Sequence, residues 1–600
     1  MNFDDFINDL QSDIDSQLSQ FGLNGDSGNK KFCPECGTQV VPDANFCPEC
    51  GYNFNANSED STNSNDEPHD ESDVQEGIIW TDTKVLADKY KTTRNAVQSI
   101  IKGFISANEH TDLCWHLLDM ADHQNGLGEA TWMDYSEVLQ NYIKNEDIAP
   151  GPHLSLFIIG GYDVIPQPIE ANPCEGNTEW DENSYDDHVY ADFFYCFYGQ
   201  LQLDFLDFRK ARCNVARLPL ETGQMHTSIE EDLQAYFNIS NMVSEQGGID
   251  IGRAVMTSNY DWIPASREMS RNLPTEHMDN EDEVVLDNMF LSPSIMEDMD
   301  DELAEQYYEK LSEADMLVFN LHGACNPEDS GFYSSGLAFS IDMLRESNAR
   351  VFNTVACWGG RYIRYAREQS MLLSAIYGGG VLLYSGSCVP AMGKCGNFQH
   401  DETWRIQPAA YSETFMARFA EYECLGTMTA GEAFLKAKCD YYNSSRQIEE
   451  DEIILATVLM FNLYGNPKLR THPNVEAIAA IQEDDGSKQV RMPFRKMNRT
   501  AVMKAQKQPN GTKSLVEEVR GMVDSNLRMI HDTITTNLYQ QLGLEPRELY
   551  SVERYETTNA QGRPEKGYLY NYQRKIGPVN TQVRAKLDEH GHLIDAIQTK

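Results

Sequence analysis

The sequence predicts an α/β fold in which a parallel sheet is covered by helices on both faces. Between about residues 77 and 473, short runs rich in Val, Ile, Leu and Phe recur, and several end in Gly or another small residue, a pattern typical of buried parallel strands. Amphipathic stretches separate these runs, and alternation of strands and helices over this length favours a sheet with helices on both sides. The elements predicted on this basis include the strands Leu154–Gly160, Ala254–Ser258, Met316–Leu321, Val351–Ala356 and Gly380–Tyr384 and the helices Glu302–Ala314 and Tyr362–Ile376.

The segments outside this region have a different character. Residues 1–30 place apolar side chains at steps of three and four on an acidic background, which predicts an amphipathic helix that docks on its own protein or on a partner. Residues 55–76 are mostly Asn, Ser, Asp and Glu, and we expect a disordered acidic linker there. Residues 480–600 combine the amphipathic stretch Ser514–Leu542 with strand-like segments from Tyr568 onward, which predicts a small α+β domain.

Length, charge and cysteine usage disfavour several functional classes. A chain of 600 residues is too long for one ordinary core, and a formal net charge of −46, from 48 Lys and Arg against 94 Asp and Glu, disfavours nucleic acid and anionic membranes as partners. The chain contains no run of about 18 or more apolar residues, and its first residues lack a secretory signal pattern, so we expect no membrane span and no export. Most of the 14 cysteines are scattered singly, so no disulfide framework is implied and we expect a cytoplasmic protein.

A short cysteine module occupies residues 31–54. The motif Cys-Pro-Glu-Cys-Gly occurs twice, with ten residues between the two cysteine pairs. Four thiolates complete the tetrahedron that structural zinc prefers and leave no open position for chemistry, and metal binding would supply most of the folding energy of so small a module. Two disulfides or a redox-active CxxC pair are the alternatives. We expect a zinc ribbon that holds one structural zinc ion and recruits a protein partner, with the ligands Cys33, Cys36, Cys47 and Cys50.

Two apolar strands end at residues that could perform covalent chemistry. Met316–Leu321 stops at His322-Gly323, and Val351–Ala356 stops at Cys357. Because neighbouring parallel strands bring their carboxyl ends to the same edge of a sheet, an imidazole and a thiol could meet there. A thiol near an imidazole ionises more readily, and the thiolate is the nucleophile.

The same residues offer the remaining parts of an acyl-transfer site. The amides of Gly323 and Cys357 could hold a developing oxyanion, and His322 could protonate the leaving amine. The structural alternative stays open, since a buried cysteine is usually inert packing and a single histidine is more often structural.

The paired pattern, in which one apolar strand ends at His-Gly and a later one at Ala-Cys, resembles the signature of the cysteine peptidase clan that unites caspases, legumains, clostripain and gingipains. The wider segment from about 150 to 472 is most similar to the gingipain family. The other matching segments, in sequence order, are Phe157–Pro166, Asp186–Asp192, Val215–Pro219, Gly431–Phe434 and Asn462–Leu469. The resemblance implies a caspase-like α/β sandwich over residues 77–473 and a cysteine endopeptidase with His322 and Cys357 as its catalytic pair.

The resemblance also implies roles for the segment after the strand Ala254–Ser258. In gingipains an acidic residue in the loop after this strand supports the catalytic histidine, and Asp261 is its counterpart here; an ordinary turn aspartate is the alternative. The same loop supplies the charge that selects the substrate, and Arg267 and Glu268 are the candidates. Arg267 would select an acidic residue and Glu268 a basic one, and we favour Arg267. Calcium sites occur in this family, but the sequence assigns no calcium ligands.

The function expected from the sequence is hydrolysis of a protein or peptide substrate by a Cys357–His322 dyad with a charge-selective pocket. The first alternative is a catalytically inactive caspase-like scaffold that acts through its zinc ribbon and C-terminal domain. A zinc-ribbon nucleic-acid adaptor is a third class, which the acidic charge disfavours.

Overall fold

The architecture is that of a computed structural model of the 600-residue chain. The structure describes residues 31–32, 39–40, 75–108, 113–123, 131–174, 188–201, 205–220, 228–259, 262–273, 307, 309–324, 326, 330–334, 337–344, 347–394, 409–445, 451–473, 525–558, 564–576, 579–588 and 591–599. The chain divides into a small unit, Met1–Glu71 with Gln489–Arg495, and a large unit, Ser72–Lys488 with Lys496–Lys600.

The small unit contributes one described feature. Strands β1 (Lys31–Phe32) and β2 (Gln39–Val40) pair antiparallel. The first Cys-Pro-Glu-Cys-Gly motif lies between these two strands in the sequence, as expected for a zinc knuckle on a β-hairpin. The predicted helix over residues 1–30 and residues 55–74 of the predicted linker lie outside the described residues.

The large unit is built around a nine-stranded sheet with smaller sheets beside it. In chain order, the described strands up to residue 473 are β3 (Gln75–Thr81), β4 (Leu113–Asp119), β5 (Ser155–Ile159), β6 (Ile169–Ala171), β7 (His188–Tyr190), β8 (Asn214–Leu218), β9 (Ile249–Ile251), β10 (Ala254–Ser258), β11 (Met316–Asn320), β12 (His322–Gly323), β13 (Gly331–Tyr333), β14 (Leu337–Ser340), β15 (Val351–Thr354), β16 (Leu383–Ser387), β17 (Met392–Lys394), β18 (Phe461–Gly465) and β19 (Thr471–Pro473). The strands of the large sheet lie in the order β10-β11-β15-β16-β18-β8-β5-β3-β4.

The two halves of the large sheet run in opposite directions. β10, β11, β15 and β16 are parallel to one another, as are β18, β8, β5, β3 and β4, and β16 meets β18 antiparallel. The carboxyl ends of β11 and β15 therefore lie at one edge of the sheet and those of β5 and β8 at the opposite edge. The predicted parallel pairing holds within each half. The reversal at β18 could not be predicted, because an apolar run has the same sequence pattern whether its strand runs parallel or antiparallel to the neighbouring strand.

Helices flank this sheet, so the predicted α/β class is confirmed. Several begin at the expected caps: Asp82 accepts from the amides of Lys84 and Val85 at 3.0 and 2.9 Å, and Ser228 forms a capping box with Glu231. In chain order the helices are α1 (Thr83–Tyr90), α2 (Arg94–Asn108), α3 (Trp132–Asn145), α4 (Ile229–Glu245), α5 (Ile263–Ser270), α6 (Ile341–Leu344), α7 (Met371–Tyr377), α8 (Ser412–Glu423), α9 (Ala430–Ser445), α10 (Asp451–Met460) and α11 (Ser525–Leu542). In the part of the chain that the structure describes, none of the helices is long and apolar enough to span a membrane.

One predicted helix is shorter than its sequence pattern. Of the stretch Tyr362–Ile376, only the part from Met371 onward is α-helical. Two local features cause the break: Arg364 has a φ of +67°, which a helix does not tolerate, and Ser370 caps the new helix by accepting from the amide of Leu373.

The C-terminal part of the chain forms an antiparallel sheet covered by α11. Its strands are β20 (Leu549–Thr558), β21 (Pro564–Ile576), β22 (Val579–Asp588) and β23 (Leu593–Thr599). Ile534 and Leu538 of α11 pack with Val552 and Val583 in a core of their own. β20 was not predicted. At the other edge, β23 pairs with β17, so this sheet reaches the strand that follows the site described next.

Candidate active site

His322 and Cys357 follow neighbouring strands of the sheet. The first four residues of β11 each pair with the residue 35 positions later in β15, from Met316 with Val351 to Phe319 with Thr354. Cys357 also stands 35 positions after His322, so the register carries both residues past the carboxyl ends of the two strands side by side. Both side chains are buried, with 1% of His322 and 2% of Cys357 exposed. The structure therefore places the two residues that the sequence singles out just past the carboxyl ends of adjacent strands.

Gly323 lies directly against the backbone of Cys357. A Cβ atom on Gly323 would overlap the carbonyl oxygen of Cys357 and lie 3.1 Å from its amide nitrogen. Only glycine allows this approach, because any side chain would require the backbone at Cys357 to move. The two residues whose amides we expect to bind an oxyanion are thus in backbone contact.

The segment after β16 encloses the thiol of Cys357. The amide of Ala391 donates a hydrogen bond to Sγ of Cys357 over 3.2 Å, and Sγ lies 3.6 Å from the carbonyl oxygen of Ala391. An N–H donor aimed at sulfur interacts more strongly with a thiolate than with a thiol. The same contacts place the backbone of Ala391 directly against Sγ of Cys357.

A strained turn follows the thiol. Trp358 has a φ of +54°, in the left-handed region that a bulky side chain rarely adopts, at a cost on the order of 1–3 kcal/mol. Its amide donates to the carbonyl of Val389 over 3.2 Å, and the amide of Gly360 donates to the carbonyl of Ser387 over 2.8 Å. These bonds hold the sharp turn that follows Cys357, which lies three residues past the end of β15 at Thr354.

His322 is held by a hairpin and by an aromatic ring. β12 pairs antiparallel with β13, which places His322 opposite Tyr333 and Gly323 opposite Phe332. The indole of Trp262 packs edge-to-face on the imidazole, with 4.5 Å between ring centroids and 63° between ring planes. Trp262 is only 2% exposed. The indole therefore restricts both the orientation of the imidazole and the access of water to it.

Hydrogen bonds tie helix α5 to the ends of β10 and β11. Ser266 donates to the hydroxyl of Ser258 over 2.6 Å, and the side-chain amide of Asn320 donates to Ser266 over 2.9 Å. All three residues are buried. Because Trp262 immediately precedes α5, this network also fixes the indole relative to His322.

The predicted specificity residues lie on this helix. The segment after β10, which the family resemblance predicts to be a loop, is helical from Ile263, and Pro264 fits its first turn because the missing N–H has no helical partner there. Arg267 is exposed, and Glu268 forms an ion pair with Arg271 over 2.5 Å. An exposed Arg267 does not form the base of a closed pocket in this conformation. Asp261 lies outside the described residues.

A buried carboxyl group supports β15, the strand that precedes Cys357. The side-chain amide of Asn353 on β15 donates to Oε2 of Glu423 over 2.7 Å, and Ser385 on β16 donates to Oδ1 of Asn353 over 2.6 Å. Burial raises the pKa of Glu423 to about 8, and the hydrogen bond from Asn353 opposes this shift. The carboxyl group is therefore neutral at pH 7 and links α8 to two strands of the site.

Three other buried cysteines keep their thiols in the protonated form. The thiol of Cys388 donates to the carbonyl of Tyr190 over 3.5 Å, and burial raises its pKa to about 11. Burial likewise raises the pKa values of Cys424 and Cys439. Thiols of this kind stay protonated at neutral pH and are poor nucleophiles.

The predicted zinc ligands Cys33, Cys36, Cys47 and Cys50 lie outside the described residues. Their donor set of two CxxC pairs fits structural zinc in ligand type and number, and strands β1 and β2 flank the first pair. Elsewhere, within the ranges that the structure describes, no group of three or more His, Cys, Asp and Glu side chains could hold a metal ion, so no calcium site is found there.

Sequence reasoning missed three contributors to this site. Trp262 carries a readable signal, since a large aromatic residue in a polar segment just past a strand end needs a partner to cover it. Glu423 carries a weaker sequence signal, because it lies on the same buried helix face as Phe419, where a carboxylate is unusual. Ala391 acts through its backbone, which leaves no signal in the sequence.

Comparisons with known proteins find one family match and distant structural similarities. A zinc-ribbon domain model matches residues 32–54, where the cysteine spacing predicts this module. No curated protein matches the sequence significantly. The chain is similar to the complex of the pro- and mature domains of RgpB from Porphyromonas gingivalis, with 11% identity, a TM-score of 0.40, and coverage of 66% of this chain and 79% of that one. It is also similar to a structure described as a protease, with 9% identity, a TM-score of 0.41, and coverage of 87% and 96%.

Proposed function

We propose that the protein is a cysteine endopeptidase in which Cys357 attacks the peptide carbonyl and His322 transfers the protons. The observation that carries this proposal is the shared register of β11 and β15, which sets a buried imidazole and a buried thiol at one edge of the sheet. The resemblance of the His-Gly and Ala-Cys strand ends to a known peptidase signature supports the same reading.

In this mechanism His322 accepts the thiol proton, and the thiolate of Cys357 forms a C–S bond with the carbonyl carbon. The amides of Gly323 and Cys357 stabilise the negative charge that develops on the carbonyl oxygen. Collapse of the tetrahedral species breaks the C–N bond, and the imidazolium protonates the leaving amine. Water activated by His322 then hydrolyses the thioester and regenerates the thiol.

The proposal extends to the residues around the dyad. Asp261 orients His322, and a charged residue of α5 selects the substrate, with Arg267 favouring an acidic residue at the cleavage site and Glu268 a basic one. A peptide library varied at that position, assayed with Arg267→Glu and Glu268→Arg, tests the second part. A preference for apolar residues, or a preference unchanged by both substitutions, rules out this part of the proposal.

The zinc ribbon, with one zinc ion bound by its four cysteines, recruits a protein partner.

The dyad is tested by Cys357→Ala and His322→Ala. Each should reduce peptide hydrolysis by at least 10³-fold, because these groups act as one unit, while the protein stays folded by circular dichroism. Cys388→Ala and His188→Ala are the matched controls and should leave hydrolysis intact, because Cys388 holds its proton and His188 is exposed. Wild-type turnover in either dyad variant would refute the proposal. An inactive scaffold would instead show no hydrolysis and no labelling of Cys357 by a thiol-reactive peptide probe.

A further inference from the structure

The C-terminal sheet is joined to the segment that encloses the thiol. β17 and β23 pair antiparallel, with Met392 opposite Thr599 and Lys394 opposite Ile597. Met392 is the residue directly after Ala391, whose backbone contacts Sγ of Cys357. The position of the segment after β16 that encloses the thiol is therefore coupled to the position of β23.

The pairing is buried. Ile597 is 8% exposed and belongs to the core of the large sheet, whereas most other buried apolar residues of this C-terminal domain, such as Val583, pack in a separate cluster. Gln598 and Thr599, the next two residues of β23, are also buried. β23 is thus the strand through which the C-terminal domain docks on the half of the molecule that carries the dyad.

The direction of β23 matches that of a substrate. Because β23 runs antiparallel to β17, its carboxyl end at Thr599 lies beside Met392, the end of β17 nearest to Ala391 and Cys357. The acyl side of a scissile peptide must also run with its carboxyl end toward the nucleophile. Extended peptides commonly bind by adding a strand to an exposed sheet edge.

We propose that β23 occupies the strand position of the acyl side of the substrate, so that the C-terminal domain holds the protein in a latent state. This inference rests on the proposed peptidase function. Release of β23 frees the edge of β17 for an extended peptide, with an apolar side chain at the position of Ile597, and lets the Ala391 backbone withdraw from Cys357. The ligand of the freed edge is an extended peptide segment.

The test uses the full chain and two matched substitutions on β23. Ile597→Asp places a charge in the buried contact, whereas Ile594→Asp makes the same change at a side chain that is 43% exposed. The measurements are the rate of alkylation of Cys357 by iodoacetamide, followed by mass spectrometry, and the hydrolysis of a peptide library. Ile597→Asp should accelerate both at least tenfold, and Ile594→Asp should change neither. Equal rates in wild type and folded Ile597→Asp would overturn the inference.

A second variant does not depend on disrupting the fold. Gly393 and Gln598 lie directly opposite each other in the pairing, so the double variant Gly393→Cys/Gln598→Cys, oxidised by a disulfide reagent, should lock β23 in place. Alkylation of Cys357 should fall at least tenfold in the locked form and recover on reduction, with wild type taken through the same cycle as the control. Alkylation that the lock does not slow would overturn the inference.

The outcomes separate this inference from the function on which it rests. If release of β23 exposes Cys357 to alkylation but no peptide is hydrolysed, the occlusion stands and the peptidase proposal fails. If wild type hydrolyses peptides fully and neither the release nor the lock changes the rate, the peptidase proposal stands and the latent state fails.

Discussion

The indole of Trp262 lies edge-to-face on the imidazole of His322, with 4.5 Å between the ring centroids. The indole is in turn fixed because α5, which begins after it, is bound through Ser266 to Ser258 and Asn320 at the ends of two strands. A catalytic imidazole must keep one orientation to accept a proton from sulfur and return it to the leaving group. Trp262 is therefore a positioning residue in the proposed mechanism.

We expect Trp262→Leu to lower kcat by at least tenfold with a smaller change in KM, because the imidazole loses its fixed orientation, and Trp262→Phe to recover much of the loss. Trp80→Leu is the control, since Trp80 is buried and makes a similar edge-to-face contact with Tyr195 at 5.0 Å. Both Leu variants should lose stability on the order of 3 kcal/mol. Steady-state kinetics below the melting temperature measure kcat for each variant. A kcat of Trp262→Leu equal to that of wild type would contradict the positioning role.

Gly323→Ala should impair both folding and activity, because the added Cβ overlaps the carbonyl of Cys357. We expect a loss of stability of about 1–3 kcal/mol and a fall in kcat of about 10²-fold as the oxyanion donors move.

Gly103→Ala is the control, and it should raise stability where Gly323→Ala lowers it. Nothing lies within 4 Å of its added Cβ in helix α2, so a gain of about 0.5–1 kcal/mol is expected. Thermal melts and peptide hydrolysis check both variants, and a neutral Gly323→Ala would contradict the close approach.

Glu423→Gln should change how stability depends on pH. The pKa of Glu423 is raised from 4.5 to about 8 in the folded protein, so the unfolded chain loses this proton at lower pH than the folded one. Stability should therefore fall between about pH 4.5 and 8, by about 1.4 kcal/mol per pH unit at most. The Gln variant lacks this slope and should be more stable than wild type at pH 8 but not at pH 4.5.

Melting temperatures at pH 4.5, 6 and 8 measure the effect, with Glu421→Gln, two residues earlier on α8, as the control. A difference between wild type and Glu423→Gln that does not grow with pH would contradict a neutral buried carboxyl.

The N-terminal module should bind one zinc ion per chain, which Cys47→Ser should remove because three thiolates no longer complete the tetrahedron. Peptide hydrolysis should be unchanged in this variant. Cys114→Ser, in the large unit, is the control and should keep its zinc. Elemental analysis of freshly purified protein provides the measurement. Undiminished zinc in Cys47→Ser, or loss of zinc in Cys114→Ser, would place the metal elsewhere.

The strands that carry the site follow closely from the sequence. Ala254–Ser258 is a strand with the predicted bounds, and Met316 and Val351 begin strands where predicted, because continuous apolar runs of this length have few other ways to be buried. The 35-residue spacing between His322 and Cys357 can be read from the sequence, but its meaning depends on β11 pairing in register with β15. The helix at Ile263 was missed because family resemblance, and not local pattern, suggested a loop.

The sequence by itself determined the α/β class, the cysteine module, and the presence of the two strands that precede His322 and Cys357, because each depends on local periodicity or on spacing along the chain. The tertiary structure alone decided the reversal at β18, the indole over His322, and the pairing of β17 with β23 beside Ala391. These contacts join segments far apart in the chain. They depend on which backbones and side chains the whole fold brings into contact, and backbone hydrogen bonds leave no residue pattern by which they could be predicted.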